Sequence, residues 1–292
     1  MIWQIIINIL YTASMYILFT LSIQIVYRTT LLLLFSHAIV FSAGAYITYF
    51  LNQLFNIPLL NSIILTIPSI CLLGILLEIG IYKPLRQRKA NSIILMLSSL
   101  GTFIVLQNLI SMLFGDDTKS IRTWEVREGI QVWGAYITPV QIIIIGVSMT
   151  LLILVAGYLM LDKRGKAMRA VAADKELARL CGINSDRIIF LSFAIGSALA
   201  GIAGILVALD VDMTPTMGMN MLMMGVVVMI IGGVGSIWGI VLGSLLLAFA
   251  QNFGVWYISS QWQDAIAFGI LLIFLLFKPE GFFGKKIRKA EV

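Results

Sequence analysis

The sequence predicts an all-α polytopic membrane protein with about 8–9 membrane segments. Hydrophobic residues make up 60% of the 292 residues, charged residues only 12%, and the mean hydropathy is +1.01. Soluble domains contain about a quarter charged residues, so this composition excludes an ordinary soluble domain. Long uncharged runs recur along the whole chain, and about 20 apolar residues are enough for a helix to span a bilayer. We therefore expect a single transmembrane domain covering residues 1–292.

The individual segments follow from these apolar runs. They lie at residues 2–26, 31–51, 58–81, 92–114, 136–161, 188–209, 221–233, 237–254 and 264–278. The last part of the chain is ambiguous, because residues 221–254 are compatible with two short spans or with a re-entrant hairpin. That ambiguity is the reason for predicting eight or nine segments.

Basic residues are concentrated in alternate loops, which predicts the orientation. Arg28, the loop 82–90, the loop 162–187 and the tail from Lys278 together hold seventeen of the 20 Lys/Arg. The remaining three lie in the outer loop 115–134. Loops rich in Lys and Arg face the cytoplasm, so the N-terminus is expected outside and the C-terminus in the cytoplasm. This topology explains the net charge of +6 better than nucleic-acid binding does. Trp124 and Trp133 in the outer loop are expected to be interfacial anchors or part of a docking surface.

Residues 162–187 form the longest charged segment, with seven Lys/Arg and four Asp/Glu. Good helix formers run from Lys166 to Leu180, and Gly182 lies where a helix C-cap glycine belongs. Apolar residues recur at three- and four-residue steps, including Ala167, Ala170, Val171, Leu177 and Ala178, so they are expected to share a face that another protein contacts. The alternative is an ordinary positively charged loop without a partner. The candidate contact residues are Gly165, Arg169, Ala170, Ala173, Asp174, Leu177, Gly182 and Ile183.

Small residues form rows at four-residue spacing in two of the apolar runs. One row is Gly196, Ala200 and Gly204, and the other is Gly235, Gly239 and Gly243. Such rows allow close approach of membrane helices, which favours packing over direct substrate contact.

A second glycine motif, Gly232-Gly233-Val234-Gly235, is expected to break a helix. It predicts either a tight cytoplasmic turn or a broken helix that lines a cavity.

Two ionisable residues within the predicted spans are candidates for a role. His37 is the only histidine, and an ionisable residue in a span is a functional candidate, although a neutral, hydrogen-bonded packing role is equally compatible. Glu78 lies close in sequence to Lys83 and Arg86, which favours a local ion pair.

No catalytic motif is present in the sequence. It contains no Gly-x-x-x-x-Gly-Lys-Ser/Thr phosphate-binding loop, no paired acids in a polar pocket and no metal-ligand cluster. Cys71 and Cys181 lie far apart, in or beside apolar segments, and are interpreted as small apolar residues. We therefore expect a protein that is not an enzyme, and any ATP-driven step requires another polypeptide.

Several motifs resemble those of the LivH-type permeases, which are membrane subunits of bacterial branched-chain amino acid ABC transporters. The strongest is RGKAMRAVAADKELARLCGINSDRIIFLSFAIGSALAGIAGIL from Arg164, which resembles the family's cytoplasmic coupling segment and the span that follows it. The other matching runs are YRTTLLLLFSHAIVFSAGAY (27–46), EIGIYKPLRQR (78–88), LSSLGTFIVLQNL (97–109), PTMGMN (215–220), IGGVGSIWGIVLGSLLLAFAQ (231–251) and FKPEGFFG (277–284). The sequence departs from the family pattern around His37, where Leu34, Ser36 and Ala38 replace Asn, Ala and Gly.

The resemblance implies a permease subunit in the bacterial cytoplasmic (inner) membrane. It implies a second, LivM-like permease subunit, two cytoplasmic ATPase subunits that bind ATP-Mg, and an external substrate-binding protein, with no cofactor in this chain. Residues 162–187 would then contact the ATPases. The residues expected in the pathway or in helix packing are His37, Gly44, Tyr46, Gly196, Gly201, Gly204, Gly232, Gly233 and Gly235.

The substrate is expected to be a branched-chain or other amino acid. An importer for urea or short amides shares the same pattern. An ion-coupled secondary transporter would need intramembrane charges, in which this chain is poor, and a passive channel leaves the segment 162–187 unexplained.

Overall fold

A computed structural model describes residues 2–122, 129–132 and 134–284. Trp124 and Trp133 lie outside the described residues, so their expected role stays a prediction. The helices are Ile2–Thr30 (α1), Ser36–Tyr49 (α2), Leu59–Leu77 (α3), Lys83–Gln87 (α4), Ser92–Phe114 (α5), Pro139–Leu161 (α6), Lys163–Ala173 (α7), Lys175–Leu180 (α8), Ser185–Asp210 (α9), Met217–Gly232 (α10), Ile237–Tyr257 (α11) and Gln263–Phe277 (α12). Short π-helical segments at Phe50–Leu54 and Glu78–Tyr82 extend α2 and α3, a 3-10 turn at Ser260–Trp262 precedes α12, and Ile130–Val132 (β1) pairs antiparallel with Ala135–Ile137 (β2).

Seven helical stretches in the described part of the chain are long and apolar enough to cross a membrane. They contain α1, α3, α5, α6, α9, α11 and α12, whereas α10 is a shorter apolar helix and α2 has 14 residues. The chain is therefore an α-helical, multi-pass membrane protein. The total of eight or nine spans stays a prediction, since it depends on whether α2 and α10 also cross the bilayer.

Helix α9 lies at the centre of the helix bundle and packs against α1, α2 and α3. Gly196, Ala200 and Gly204 are all buried along it, which confirms the first predicted small-residue row. The second predicted row is wrong at one position. Gly235 lies in the turn before α11, with φ at +92°, and Gly232 takes its place against Gly239 and Gly243.

The first turn of the predicted span 31–51 is not helical. Helix α1 continues to Thr30, Leu31 adopts a left-handed conformation with φ at +56°, and α2 begins only at Ser36. The hydroxyl of Thr30 accepts a hydrogen bond from the Leu32 N–H at 3.3 Å, and Ser99 Oγ accepts one from the Phe35 N–H at 3.1 Å. Side chains of α1 and α5 thus accept hydrogen bonds from backbone N–H groups where the chain reverses direction. A uniform run of leucines gives no periodic signal of such a break.

The basic segments meet at one end of the helices. Helix α7 packs against the ends of α1 and α6, and Arg28 lies beside Arg169 around a small cavity. At the other end of α1, Gln4 contacts the backbone of Tyr136. On that side Arg122 donates a hydrogen bond to Asp212 at 3.0 Å, which lowers the pKa of the Asp212 carboxyl. Residues 162–187 and the outer loop therefore lie at opposite ends of the molecule.

Candidate functional site

The charged segment forms two helices instead of the predicted single helix over 166–180. Asp174 separates α7 from α8 in an extended conformation, and its carboxylate accepts hydrogen bonds from the N–H groups of Glu176 at 2.8 Å and Leu177 at 2.9 Å. Aspartate competes for backbone N–H groups in this way and so favours an N-cap over a helix interior. The break sets the direction of α8 independently of α7.

Gly182 ends α8 with the geometry predicted for a C-cap glycine. Its φ is +82°, and its N–H donates to the Arg179 carbonyl at 3.0 Å. The N–H of Ile183 donates to the Ala178 carbonyl, also at 3.0 Å. These two bonds form a Schellman motif, in which the left-handed residue is usually glycine because other residues adopt that conformation at a cost.

One face of the segment is packed on the transmembrane helices. Gly165, Met168, Val171 and Ala178 are buried, and a Cβ on Gly165 would overlap the carbonyl of Tyr158 at the end of α6. Gly165 therefore holds α7 against α6 within the chain instead of facing a partner. Ala170 and Ile183 are half-buried against the same core.

The opposite face is exposed and partly apolar. We call it the α8 face, defined by Ala173, Asp174, Leu177, Leu180 and Gly182. Leu177 is 59% exposed and Leu180 is 85% exposed, although both lie outside the membrane-spanning helices. The charged residues Arg169, Glu176 and Arg179 are also exposed nearby. Large apolar side chains framed by charges at a water-facing surface are typical of a protein–protein interface.

A buried ion pair lies beside this segment and confirms the predicted local pairing of Glu78. Arg86 donates to both carboxylate oxygens of Glu78, with Nη1 at 3.0 Å from Oε2. The Glu78 side chain is only 3% exposed. Arg86 also borders a cavity of about 110 Å³ that reaches from Thr30 and Leu31 to Asp174. The pair thus connects α3 and α4 with the charged segment and the α1–α2 turn.

Arg86→Met is expected to destabilise the protein, because it leaves the Glu78 carboxylate buried without its partner. Breaking one side of a buried pair costs about 3–5 kcal/mol. The matched control is Glu78→Leu combined with Arg86→Met, which removes both charges and should restore most of the stability. Thermal unfolding in detergent measures the difference, and equal melting temperatures for the single and double variants would contradict this role.

The predicted glycines of α9, and Gly44 of α2, lie where neighbouring helices approach closely. A Cβ on Gly44 would come within 2.5 Å of the Gly201 carbonyl oxygen, and one on Gly201 within 2.8 Å of Ile70 Cγ2. A Cβ on Gly204 would overlap the carbonyl of Phe41, and one on Gly196 would lie 3.1 Å from the Ser22 carbonyl. This geometry favours the packing interpretation over substrate contact.

Two further glycine contacts were not singled out from the sequence. Gly74 of α3 faces Ser197, and Gly218 of α10 faces the carbonyl of Ala38. Both contacts join residues far apart in the chain, so spacing within one helix gives no signal for them.

His37 is enclosed by protein. Its Nε2 lies 3.1 Å from Ser22 Oγ and its side chain packs beside the ring of Phe19 at 6.1 Å between centroids. The His37 side chain is buried, which fits the hydrogen-bonded packing alternative.

Tyr46 borders an apolar cavity of about 300 Å³ between α2, α3 and α5. Its ring packs on Phe114 with centroids 5.2 Å apart, and its hydroxyl is buried without a hydrogen-bond partner among the described residues. It is the only member of the predicted pathway set that borders this cavity.

Gly233 and Gly235 lie in a tight turn directly after α10, which is one of the two predicted alternatives, and the C-terminal segment packs over this turn. Gly233 and Gly235 have φ of +93° and +92°, and a Cβ on Gly233 would overlap the backbone of Gly284. The N–H groups of Phe282 and Phe283 donate to the carbonyls of Ile231 at 2.9 Å and Gly232 at 3.1 Å. Because these carbonyls at the end of α10 are already bonded, the cavity-lining alternative does not fit the geometry.

Comparison with known proteins gives the same assignment along almost the whole chain. Residues 5–276 match the family model described as the permease component of the branched-chain amino acid transport system. The permease protein BraD of the high-affinity branched-chain amino acid transport system of Pseudomonas aeruginosa is 32% identical, over 97% of this chain and 95% of the relative. The LivH permease protein of Escherichia coli is 28% identical over 93% of this chain and 92% of the relative.

A more distant relative extends the comparison to an archaeon. A probable LivH permease of Methanocaldococcus jannaschii is 25% identical over 96% of this chain and 91% of its own length. No solved structure matches the chain. On the family match and the full-length similarity to BraD, the chain belongs to the family of branched-chain amino acid transport permeases and is a transport subunit, not an enzyme.

Proposed function

We propose that the chain is the LivH-like permease subunit of a bacterial importer that takes up branched-chain amino acids across the cytoplasmic membrane. The proposed coupling role rests on the α8 face. Leu177 and Leu180 are exposed to water on a segment whose ends are fixed by the Asp174 cap and the Gly182 turn. A rigid, partly apolar surface beside the ends of the spans is suited to receive force from a separate ATPase subunit.

The same contacts suggest how a push on α8 reaches the spans. Helix α7 packs on α1 and α6, and Ser185 at the start of α9 donates to the Lys175 carbonyl at 3.3 Å. A displacement of α8 would therefore tilt α9, which contacts α1, α2 and α3. ATP-Mg would be bound by two cytoplasmic ATPase subunits, and this chain itself would hold no cofactor. A second, LivM-like permease and an external binding protein would complete the assembly.

We further propose that all of α1–α3, α5, α6 and α9–α12 cross the membrane in one domain. Nine crossings would put the termini on opposite sides of the membrane, and the basic loops favour the cytoplasm for the C-terminal side. This topology is supported by the basic segments, because Arg28, Arg86 and Arg169 all lie at the same end of α1.

The native Cys181 provides a test of this orientation, because it is exposed on the charged segment. We expect a membrane-impermeant maleimide to label Cys181 only after the cells are permeabilised. Asp117→Cys in a Cys181→Ser background should be labelled in intact cells, since the Asp117 side chain is 92% exposed at the opposite end. Labelling of Cys181 in intact cells would reverse the proposed orientation.

The transport assignment is tested with the complete system in proteoliposomes. The chain, its partner permease, the two ATPases and the binding protein are reconstituted with ATP inside the vesicles in the proposed orientation. We expect uptake of leucine, isoleucine or valine that requires ATP and the binding protein. Uptake of urea or acetamide in place of these amino acids, or uptake that follows an ion gradient without ATP, would contradict the proposal.

A further inference from the structure

A cavity lined by charged and apolar side chains opens at the basic end of the molecule, between the α3–α4 junction and the start of α9. It has a volume of about 450 Å³ and is lined by Glu78, Ile79, Lys83, Asn184, Asp186, Arg187 and Phe190. It is separate from the α8 face. The packing and coupling roles described above make no use of Lys83 or Arg187.

Two cations that line this cavity have no acidic partner among the described residues. Glu78 is bonded to Arg86, and Asp186 lies 3.6 Å from Arg179, so each acid already has its own arginine. Lys83 and Arg187 form no ion pair within the described part of the chain. The lining itself holds two cations and two acids, and the arginine partners of the two acids, which lie outside the lining, give the whole group two cations in excess. Burial is the main cause that lowers the pKa of nearby Lys175; the charges of Arg86 and Arg179 lower it further, and those of the two acids raise it.

An exposed apolar stripe leads from the cavity along α3. Leu72 and Leu76 are each 56% exposed, and Ile79 follows at 47% before Lys83. Leu72 and Leu76 are four residues apart in α3 and so share one side of that helix, and Ile79 and Lys83 follow in the π-helical segment and at the start of α4. Across the cavity, Phe190 is also exposed, one turn after Arg187. The surface thus combines an apolar track within the span with two free cations at its end.

We propose that this surface binds an anionic phospholipid. Its phosphate would lie between Lys83 and Arg187, and one acyl chain would run along Leu72, Leu76 and Ile79. Basic pockets between membrane helices at the cytoplasmic side are suited to such headgroups. A soluble phosphate compound would leave the apolar stripe unused, and an acidic protein segment would not need a stripe that continues along a spanning helix.

The test uses the purified full-length chain in neutral detergent, with phosphatidylglycerol or phosphatidylcholine added. Native mass spectrometry measures the retained lipid, and thermal unfolding measures the stabilisation. We expect tighter binding of phosphatidylglycerol. Lys83→Gln with Arg187→Gln should weaken that binding about 30-fold, since each cation near the membrane surface contributes about 1 kcal/mol.

Two matched controls separate a specific site from net charge. Lys163→Gln with Lys166→Gln removes two exposed cations from the same end and should leave phosphatidylglycerol binding unchanged. Lys83→Arg with Arg187→Lys keeps both charges and should retain the preference. If the double Gln variant does not accumulate, Arg187→Gln alone, at an exposed side chain, should still weaken binding about fivefold.

Several results would overturn the proposal. One is equal binding of the two lipids by the unmodified chain, and another is an unchanged preference in the Lys83 and Arg187 variants. Competition by soluble glycerol phosphate as effective as that by the lipid would show a phosphate site without a lipid. Loss of partner-subunit assembly in these variants, with lipid preference intact, would assign the surface to a protein partner.

Discussion

Gly204→Leu is expected to prevent accumulation of the folded chain. The Cβ of any side chain at this position would overlap the backbone carbonyl of Phe41 in α2. The overlap could be relieved only if α2 moved away from α9, which would break the packing of the two helices. Overpacking costs about 1–3 kcal/mol even where neighbouring side chains can adjust. A backbone clash leaves no such adjustment, so we expect a loss of about 3 kcal/mol or more against a total stability of roughly 5–15 kcal/mol. Gly204→Ala should give a smaller loss of the same sign.

Gly146→Leu is the matched control, because it introduces the same side chain into a spanning helix. Among the described residues no atom lies within 4 Å of a Cβ built on Gly146. Membrane abundance and melting temperature should be normal for this variant and reduced for Gly204→Leu. Normal abundance of Gly204→Leu would show that the contact between α2 and α9 is not required.

Ala173→Arg and Gly182→Val are expected to abolish transport while the permease still inserts. Both positions are exposed outside the spans, and no described atom lies within 4 Å of a Cβ on Gly182. The φ of +82° at Gly182 imposes a cost of about 1–2 kcal/mol on a residue with a side chain. That cost falls on the end of α8, and one or two kcal/mol corresponds to about 5–30-fold in an equilibrium. Arginine at 173 adds a bulky charge to the α8 face.

Conservative replacements at the same two positions test whether transport depends on the shape of the α8 face. Gly182→Asn should retain most uptake, because asparagine tolerates the left-handed conformation, and Ala173→Ser should be nearly neutral. The measurements are ATP-dependent uptake, ATPase copurification and membrane abundance for the four variants. Full uptake by Gly182→Val at normal abundance would contradict a role for the end of α8 in coupling.

The sequence allows prediction of contacts that depend on single residue types. The row at Gly196, Ala200 and Gly204 is visible because only small residues permit close helix contact, and Gly182 is visible because a C-cap favours glycine. The ion pair between Glu78 and Arg86 is predictable because the two residues lie close in the sequence. These features are local, so no knowledge of the remaining fold is needed.

Features that depend on distant partners could not be predicted. The chain reversal at Leu31 is stabilised in part by Ser99, 64 residues from its bonding partner Phe35. The break at Asp174 was not predictable because an aspartate within a run of helix formers can either stay in the helix or act as the N-cap of a new helix. Gly235 has the spacing of the second row, but it lies in the turn after α10, where the N–H groups of Phe282 and Phe283 bond to the last carbonyls of that helix.

Crosslinking tests most directly whether the α8 face contacts an ATPase subunit. A photoreactive residue is placed at Leu177 or Leu180 in the assembled transporter, with a control at Asp117 at the opposite end. We predict a crosslink to an ATPase subunit from 177 and 180, and none from 117. Absence of any ATPase crosslink from 177 and 180 in a complex that still transports, or a crosslink from 117 instead, would contradict the account.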